Sequence, residues 1–374
     1  MKNEIAQALL NKILSIPDTD TERMTKIGRY FQNMARYKFD DYHQYYPGMR
    51  FLEKFALWLN QFDEADRDTA LEFIEEKLVF ISHAEMNLLV SSIFPDKIKD
   101  ILIGKIANEK SIPYWRIDEI TSTKEYKALK RKCLFCGLSD GARTEVFRRS
   151  NPGVISHEQV YLTYELSVDR AKEMSEKLKK ELKDIYGAEP SEKDSKFQML
   201  FLLDDFSASG TSYLKYKDAE KKFKGKIAQL YDNIYKNKDQ FKTVFDLDNL
   251  EVHIVIYMCT KQAIDQISKT ISNADWPYKN LHITPIYIID DSIKLNPGPD
   301  DKYIALCNNP KYYDKGGIED EHTGNDIQMG YGKCSLPIVL GHNTPNNSVP
   351  LLWSYDSCEK FKGLFPRIPR HKEL

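Results

Sequence analysis

A chain of 374 residues is longer than one small core requires, and its 41% hydrophobic content supports roughly two to three domains' worth of packing. With 54 Lys plus Arg against 56 Asp plus Glu the formal charge is −2, which excludes the global basic field of a general nucleic-acid binder and makes any anion site local. The apolar runs, such as 201–203 and 254–258, are too short to cross a bilayer and no basic-then-apolar leader opens the chain, so a cytoplasmic protein is expected. The six cysteines are scattered, and reduced thiols follow; only Cys133 and Cys136 stand close, in an apolar stretch that suits buried strand thiols better than a zinc pair.

From residue 1 to 125 the pattern is helical: Ile5, Leu9, Leu10 and Ile13 keep helical spacing, as do Phe51, Phe55, Trp58 and Leu59. Val79 to Ile81 is the most β-like run there, but it is short and set among helix formers, so it is expected to be helical. A separate all-helical N-terminal domain over 1–125 is the expectation. Beyond it, short apolar runs alternate with long amphipathic stretches, which predicts an α/β domain over 126–374, a mainly parallel sheet with flanking helices. The expected strands are Cys133 to Gly137, Gln198 to Leu203, Val252 to Met258, Ile283 to Ile289 and Leu336 to Leu340. A helix is expected from His157 to Tyr186, opened by the capping box Ser156…Gln159, striped by Leu162, Leu166, Met174, Leu178 and Leu182, and stopped at Gly187. The next helix carries Phe223, Ile227, Leu230 and Ile234; the lysines from Lys215 to Lys226 are taken as its solvated face, with phosphate attraction the lesser reading. Residues 292–332, rich in Asp, Gly, Asn and Pro, form an irregular insertion or hood.

Phe201-Leu-Leu-Asp-Asp-Phe-Ser-Ala-Ser-Gly-Thr-Ser212 carries the densest chemistry: an apolar strand ends in two acids and passes into a small, hydroxyl-rich turn. At the carboxyl end of a parallel strand, backbone N–H groups and hydroxyls can enclose a phosphate. Ser207, Ser209, Gly210, Thr211 and Ser212 would supply that cradle. Asp204 and Asp205 are placed to accept hydrogen bonds from vicinal sugar hydroxyls, each charge-assisted bond worth about 1.5–3 kcal/mol. Together they describe a ribose 5-phosphate site; the plain alternative is a capped strand-to-helix turn without ligand. The loop is expected at a sheet edge facing solvent, so that Gly210→Val should remove ligand binding at little cost in stability unless Gly210 has positive φ. Ile286-Tyr-Ile-Ile-Asp290-Asp291-Ser292 is an internal control: the acids recur without the glycine turn, as at an ordinary strand end.

A diphosphate needs a second anion site. Gly137-Leu-Ser-Asp140-Gly141-Ala-Arg143 follows an earlier strand, with glycines for close backbone approach and Arg143 either a forked phosphate donor or part of a solvated helix face; Arg148 and Arg149 suit the solvated face. Near the end, Gly-His342-Asn343-Thr344-Pro-Asn346-Asn347-Ser348 is either a turn network satisfying its own backbone or the lining of an acceptor pocket, with His342 available for proton transfer.

Asp204-Asp205-Phe-Ser-Ala-Ser209-Gly210-Thr211-Ser212 resembles the phosphoribosyl diphosphate motif of type I phosphoribosyltransferases position by position. With Gly-Leu-Ser-Asp-Gly-Ala-Arg, Ser-His-Glu-Gln and His-Asn-Thr-Pro-Asn-Asn-Ser, nearly the whole chain is similar to a bacterial, PRTase-CE-like branch of that family associated with anti-phage conflict systems. The resemblance implies an effector or accessory role in defence, beside an operon-encoded partner protein or a nucleoprotein such as a retron reverse transcriptase. The chain departs from salvage enzymes in lacking a base-specific loop. The function expected is a Mg²⁺-dependent transferase or glycosidic-bond hydrolase acting at C1 of phosphoribosyl diphosphate or a related nucleotide, with Asp204 and Asp205 as catalytic and metal-holding groups. The alternative is a non-catalytic module that binds such a ligand and signals to a partner.

Overall fold

The computed structural model describes residues 3–163, 167–273, 276–278, 280–319 and 324–368. Residues 86–289 form one compact unit, and residues 1–85 together with 290–374 form another. Nine strands occur among the described residues: β1 (Val79–Ile81), β2 (Cys133–Gly137), β3 (Val160–Tyr161), β4 (Met199–Ser207), β5 (Lys215–Lys217), β6 (Lys222–Lys224), β7 (Glu251–Thr260), β8 (Leu281–Ile289) and β9 (Ile338–Leu340).

The unit of residues 86–289 is built on an all-parallel five-stranded sheet in the order β3-β2-β4-β7-β8. Every residue of β2 and all but the first of β7 are buried, the condition of parallel strands covered on both faces, and the reason their sequences are continuous apolar runs. On one face Leu200 and Leu202 of β4 and Val252, Ile254 and Ile256 of β7 pack with Met174, Leu178 and Leu182 of the helix Val168–Tyr186. Ile227, Leu230 and Ile234 of Lys226–Lys236 and Ala263 and Ile267 of Lys261–Ile271 join the same core. Each large aliphatic side chain so buried contributes about 1.5–3 kcal/mol. Cys133 and Cys136 are buried strand thiols, and burial pushes both upward in pKa.

Three local expectations differ from what the chain does here. The capping box of Ser156 and Gln159 forms, but it closes a single 3₁₀ turn leading into β3, and the long helix begins only at Val168. Gln159 explains the difference: its amide donates to the carbonyls of Lys130 (2.8 Å) and Cys133 (3.1 Å), tying the turn to the start of β2. Leu162 is exposed, and Leu166 lies outside the described residues. Phe223 is not helical. Lys-Tyr-Lys and Lys-Phe-Lys alternate with period two, and they pair as the antiparallel hairpin β5–β6, with Phe223 edge-on to Trp276 at 4.9 Å and Glu220 bridging Lys217 and Lys224.

In the other unit, the helices Thr21–Tyr37 and Phe51–Leu59 contribute Phe31, Phe51, Phe55 and Trp58 to an aromatic core that also takes in Phe361 and Phe365. Trp58 Nε1 donates to the Leu351 carbonyl at 2.9 Å and the Tyr42 hydroxyl to that of Phe365 at 3.0 Å. Val79–Ile81 is a strand, not a helix, paired in parallel with β9 (Phe80 opposite Val339). The run Leu336 to Leu340 therefore supplies a strand to a separate two-stranded sheet, and the fifth member of the main sheet is β3. The compact division does not fall at 125/126: the helices Lys99–Lys110, Ile117–Ser122 and Lys124–Arg131 lie within 86–289, and the C-terminal segment packs with the N-terminal helices. Hydrophobic period identifies a helix without saying what it packs against. Residues 292–332 include the short helices Asp301–Asn308 and Lys315–Ile318. No helix among the described residues is long and apolar enough to cross a membrane.

Candidate functional site

β4 is the central strand of the sheet, and it does not end at Leu203. Its ladder with β7 continues through Asp204 opposite Ile256 to Ser207 opposite Cys259, so the acid pair lies inside the last turns of a paired strand. Alternation then sends the two carboxylates to opposite sides. Asp204 is buried at 2% exposure; Ser139 Oγ donates to its Oδ1, and Lys226 Nζ lies 3.3 Å from its Oδ2. The Asp205 N–H also donates to Oδ1 at 3.2 Å. Burial first, and the Asp205 charge second, raise the Asp204 pKa, while Lys226 and Ser139 oppose that shift. Asp205 is half-buried and rests against Gly141, where an added Cβ would lie 2.4 Å from its Oδ2.

The turn after β4 is not at a sheet edge. Ser207, Ala208, Ser209 and Gly210 are buried, Thr211 is partly exposed and Ser212 is exposed. Ser209 Oγ and Thr211 Oγ1 share a hydrogen bond at 3.1 Å. Among the described residues, the N–H groups of Ser209, Gly210 and Ser212 donate to no backbone carbonyl. The first N–H groups of the helix Lys226–Lys236 are committed differently: Lys226 N–H donates to Ser212 O (3.1 Å) and Ile227 N–H to Tyr213 O (3.0 Å). These bonds bring Lys226 beside Asp204 across the inserted hairpin. Any phosphate cradle is thus made by the turn's own amides, not by a following helix terminus.

Gly210 has φ +72°, and a Cβ there would meet the Ala263 carbonyl oxygen at 2.7 Å. The positive φ meets the exception stated for this residue, and the Ala263 contact adds a second reason why its replacement would not spare the fold. Thr260 locks the same corner: its hydroxyl donates to Ala208 O at 2.6 Å and accepts from the Ala263 N–H at 3.1 Å as the N-cap of Lys261–Ile271. Thr260→Ala is expected to cost about 1–2 kcal/mol, read as a lower urea midpoint at unchanged slope.

The turn after β2 converges on the acid pair through Gly141, which was expected, and through Ser139, which was not. Ser139 touches Asp204 and accepts the Gly141 N–H at 3.2 Å; the Tyr257 hydroxyl donates to Ala142 O. At Gly137 the close approach is to protein backbone, since a Cβ would lie 2.8 Å from the Leu162 carbonyl oxygen. Asp140 is exposed. Arg143 has φ +47° at the N-cap of Thr144–Arg149, and its guanidinium donates to Asn87 Oδ1 at 2.9 Å. Arg149 pairs with Glu145 on an exposed face. His342 and Asn343 belong to the other unit, in the turn after β9, where the His342 carbonyl accepts from Gln44 Nε2 at 2.8 Å. At the control pair, Asp290 accepts the Ser292 N–H at 2.8 Å and Asp291 pairs with Lys294 at 2.7 Å. Ser139 and Lys226 escaped sequence reasoning because both contacts with Asp204 are long-range; a lysine at the first position of a helix after the motif is the one local hint for Lys226.

A parallel sheet with an acid pair and an amide-lined turn at the carboxyl end of its central strand defines a type I phosphoribosyltransferase-like protein. A model of the PRTase-CE family matches residues 56–367, and the chain belongs to that family. No curated protein and no solved structure matches it.

Proposed function

We propose that the protein binds phosphoribosyl diphosphate or a related nucleotide and acts at its C1 as a transferase or glycosidic-bond hydrolase. The observation that supports this best is that the acid pair at the end of β4 runs directly into a turn where, among the described residues, the N–H groups of Ser209, Gly210 and Ser212 donate to no backbone carbonyl. In this reading the turn holds the 5-phosphate and Asp205 accepts the ribose hydroxyls. Asp204, whose two oxygens already face Ser139 and Lys226, keeps the Lys226 ammonium beside the anionic ligand instead of touching the sugar. Mg²⁺ suits this donor set through Asp205 and the ligand's own phosphate oxygens, whereas Lys226 disfavours a cation at Asp204. When bound, the ion supplies positive charge for the diphosphate as its bond to C1 breaks. We place this activity in the cytoplasm, in an effector or accessory of bacterial anti-phage defence that works beside a partner protein or a reverse-transcriptase nucleoprotein.

Calorimetry with phosphoribosyl diphosphate, with Mg²⁺ and with chelator, is expected to give Mg²⁺-dependent binding; no heat with any ribose 5-phosphate ligand would sink the proposal. Diphosphate release separates catalysis from a binding module that signals to a partner, because a module takes up ligand and liberates none.

A further inference from the structure

A second cluster of polar side chains lies at the other end of the sheet. Glu251 and His253 alternate onto one face at the start of β7, and His282 of β8 is the direct cross-strand partner of His253. The ligand atoms of all three lie within 4.8 Å of one another. Glu251 is opposite Met199 whereas Asp204 is opposite Ile256, so five residues of strand, roughly 16 Å, separate this cluster from the acid pair. It is no part of the phosphoribosyl site.

The ring of His253 is held from several sides. Phe135, Phe201, His253 and His282 occupy matched positions on β2, β4, β7 and β8, with successive ring centroids 5.3, 4.9 and 4.8 Å apart. Nδ1 of His253 lies 3.3 Å from Thr284 Oγ1. Nε2 is buried with no hydrogen-bond partner among the described residues, and the closest charged atom, Glu251 Oε2, is 3.8 Å away, beyond hydrogen-bond range. A structural stacking ladder accounts for the rings but not for a buried nitrogen aimed at a carboxylate it does not reach. Leaving such a buried atom unsatisfied is destabilising. Lys105 pairs with Glu251 Oε1 and so turns Oε2 toward the histidines.

We propose that Glu251, His253 and His282 form a binding site for a zinc-class divalent ion, with a fourth position open to solvent beside the exposed His282. Two imidazoles and one carboxylate are the donors zinc takes with a fourth, exchangeable ligand, at metal–ligand distances of about 2.0–2.2 Å. A carboxylate oxygen and an imidazole nitrogen 3.8 Å apart can be bridged by one such ion. The surrounding groups follow the usual outer shell: with Nδ1–H donating to Thr284, Nε2 carries the lone pair, and Lys105 orients the carboxylate.

The test is calorimetry of the chelator-stripped full chain with Zn²⁺ alone, on a His43→Ala background that disables a second His/Asp cluster, Asp41, His43 and His83. One equivalent is expected on His43→Ala. In His43→Ala/His282→Ala, affinity should fall by more than about 100-fold, the most that losing an outer-shell partner costs, while Thr284→Val should lose about 10–100-fold. His282 is exposed, so its replacement leaves the core intact; Glu251→Gln, which retains an acceptor for Lys105, is the second variant, and loss of the visible Co²⁺ band in it reports the ligand directly. No equivalent on His43→Ala, or unchanged affinity after His282→Ala, overturns the assignment.

Discussion

Gly210→Val is expected to lower the melting temperature of the protein by on the order of 10 °C. Gly210 sits at φ +72°, where a β-branched residue costs about 1–3 kcal/mol. Its Cβ would also come within 2.7 Å of the Ala263 carbonyl oxygen and 3.1 Å of Ile267 Cγ1. Backbone cannot rotate away as a side chain can, so the helix Lys261–Ile271 must shift, adding about 1–3 kcal/mol of overpacking. At roughly 2–4 °C per kcal/mol for a unit of this size, the sum gives the expected shift. Circular dichroism melts of parent and variant check it; a parent-like melt would mean that the helix does not press on the loop. Loss of ligand in this variant would say little about phosphate recognition, because the fold yields first.

Gly141→Ala separates ligand recognition from folding. The atoms its Cβ would meet, at 2.4 Å and 2.5 Å, are the end of the Asp205 carboxylate, which can swing aside at small cost. The melting temperature should stay within about 2 °C of the parent, since no buried backbone has to move. Affinity for phosphoribosyl diphosphate should fall by roughly 10–100-fold, the loss of a charge-assisted hydrogen bond worth about 1.5–3 kcal/mol. Asp205→Asn should fall by a similar factor, and the double variant should be no worse than either alone, because both act through one carboxylate. Calorimetric titration of the three variants settles the matter: parent-like affinity in both single variants would remove the ribose role from Asp205.

Much of this protein was legible in its residues. Continuous apolar runs at Cys133–Gly137 and Val252–Met258 announced buried parallel strands, since a strand covered on both faces has no polar side to show. The order of acids, hydroxyls and glycine at 204–212 likewise marked one turn among many, because a positive-φ corner packed closely on backbone tolerates few residue types.

What tertiary structure alone decided were the partners. Ser139 and Lys226 reach Asp204 from two other parts of the chain, and no spacing rule connects residues 139, 204 and 226. Val79–Ile81 carries too few residues to outvote its helical neighbours; it is a strand because Ile338–Leu340 arrives beside it. Phe361 and Phe365 complete the core of the N-terminal helices because an amphipathic stripe demands apolar cover without naming its source. His253 and His282 were two unremarked histidines on separate strands until the β7–β8 register set them opposite each other. Local sequence determines conformational preference and chemistry within a few residues. Which distant groups share a site is set by strand order and register, where the free energy of burial is summed over the whole sheet.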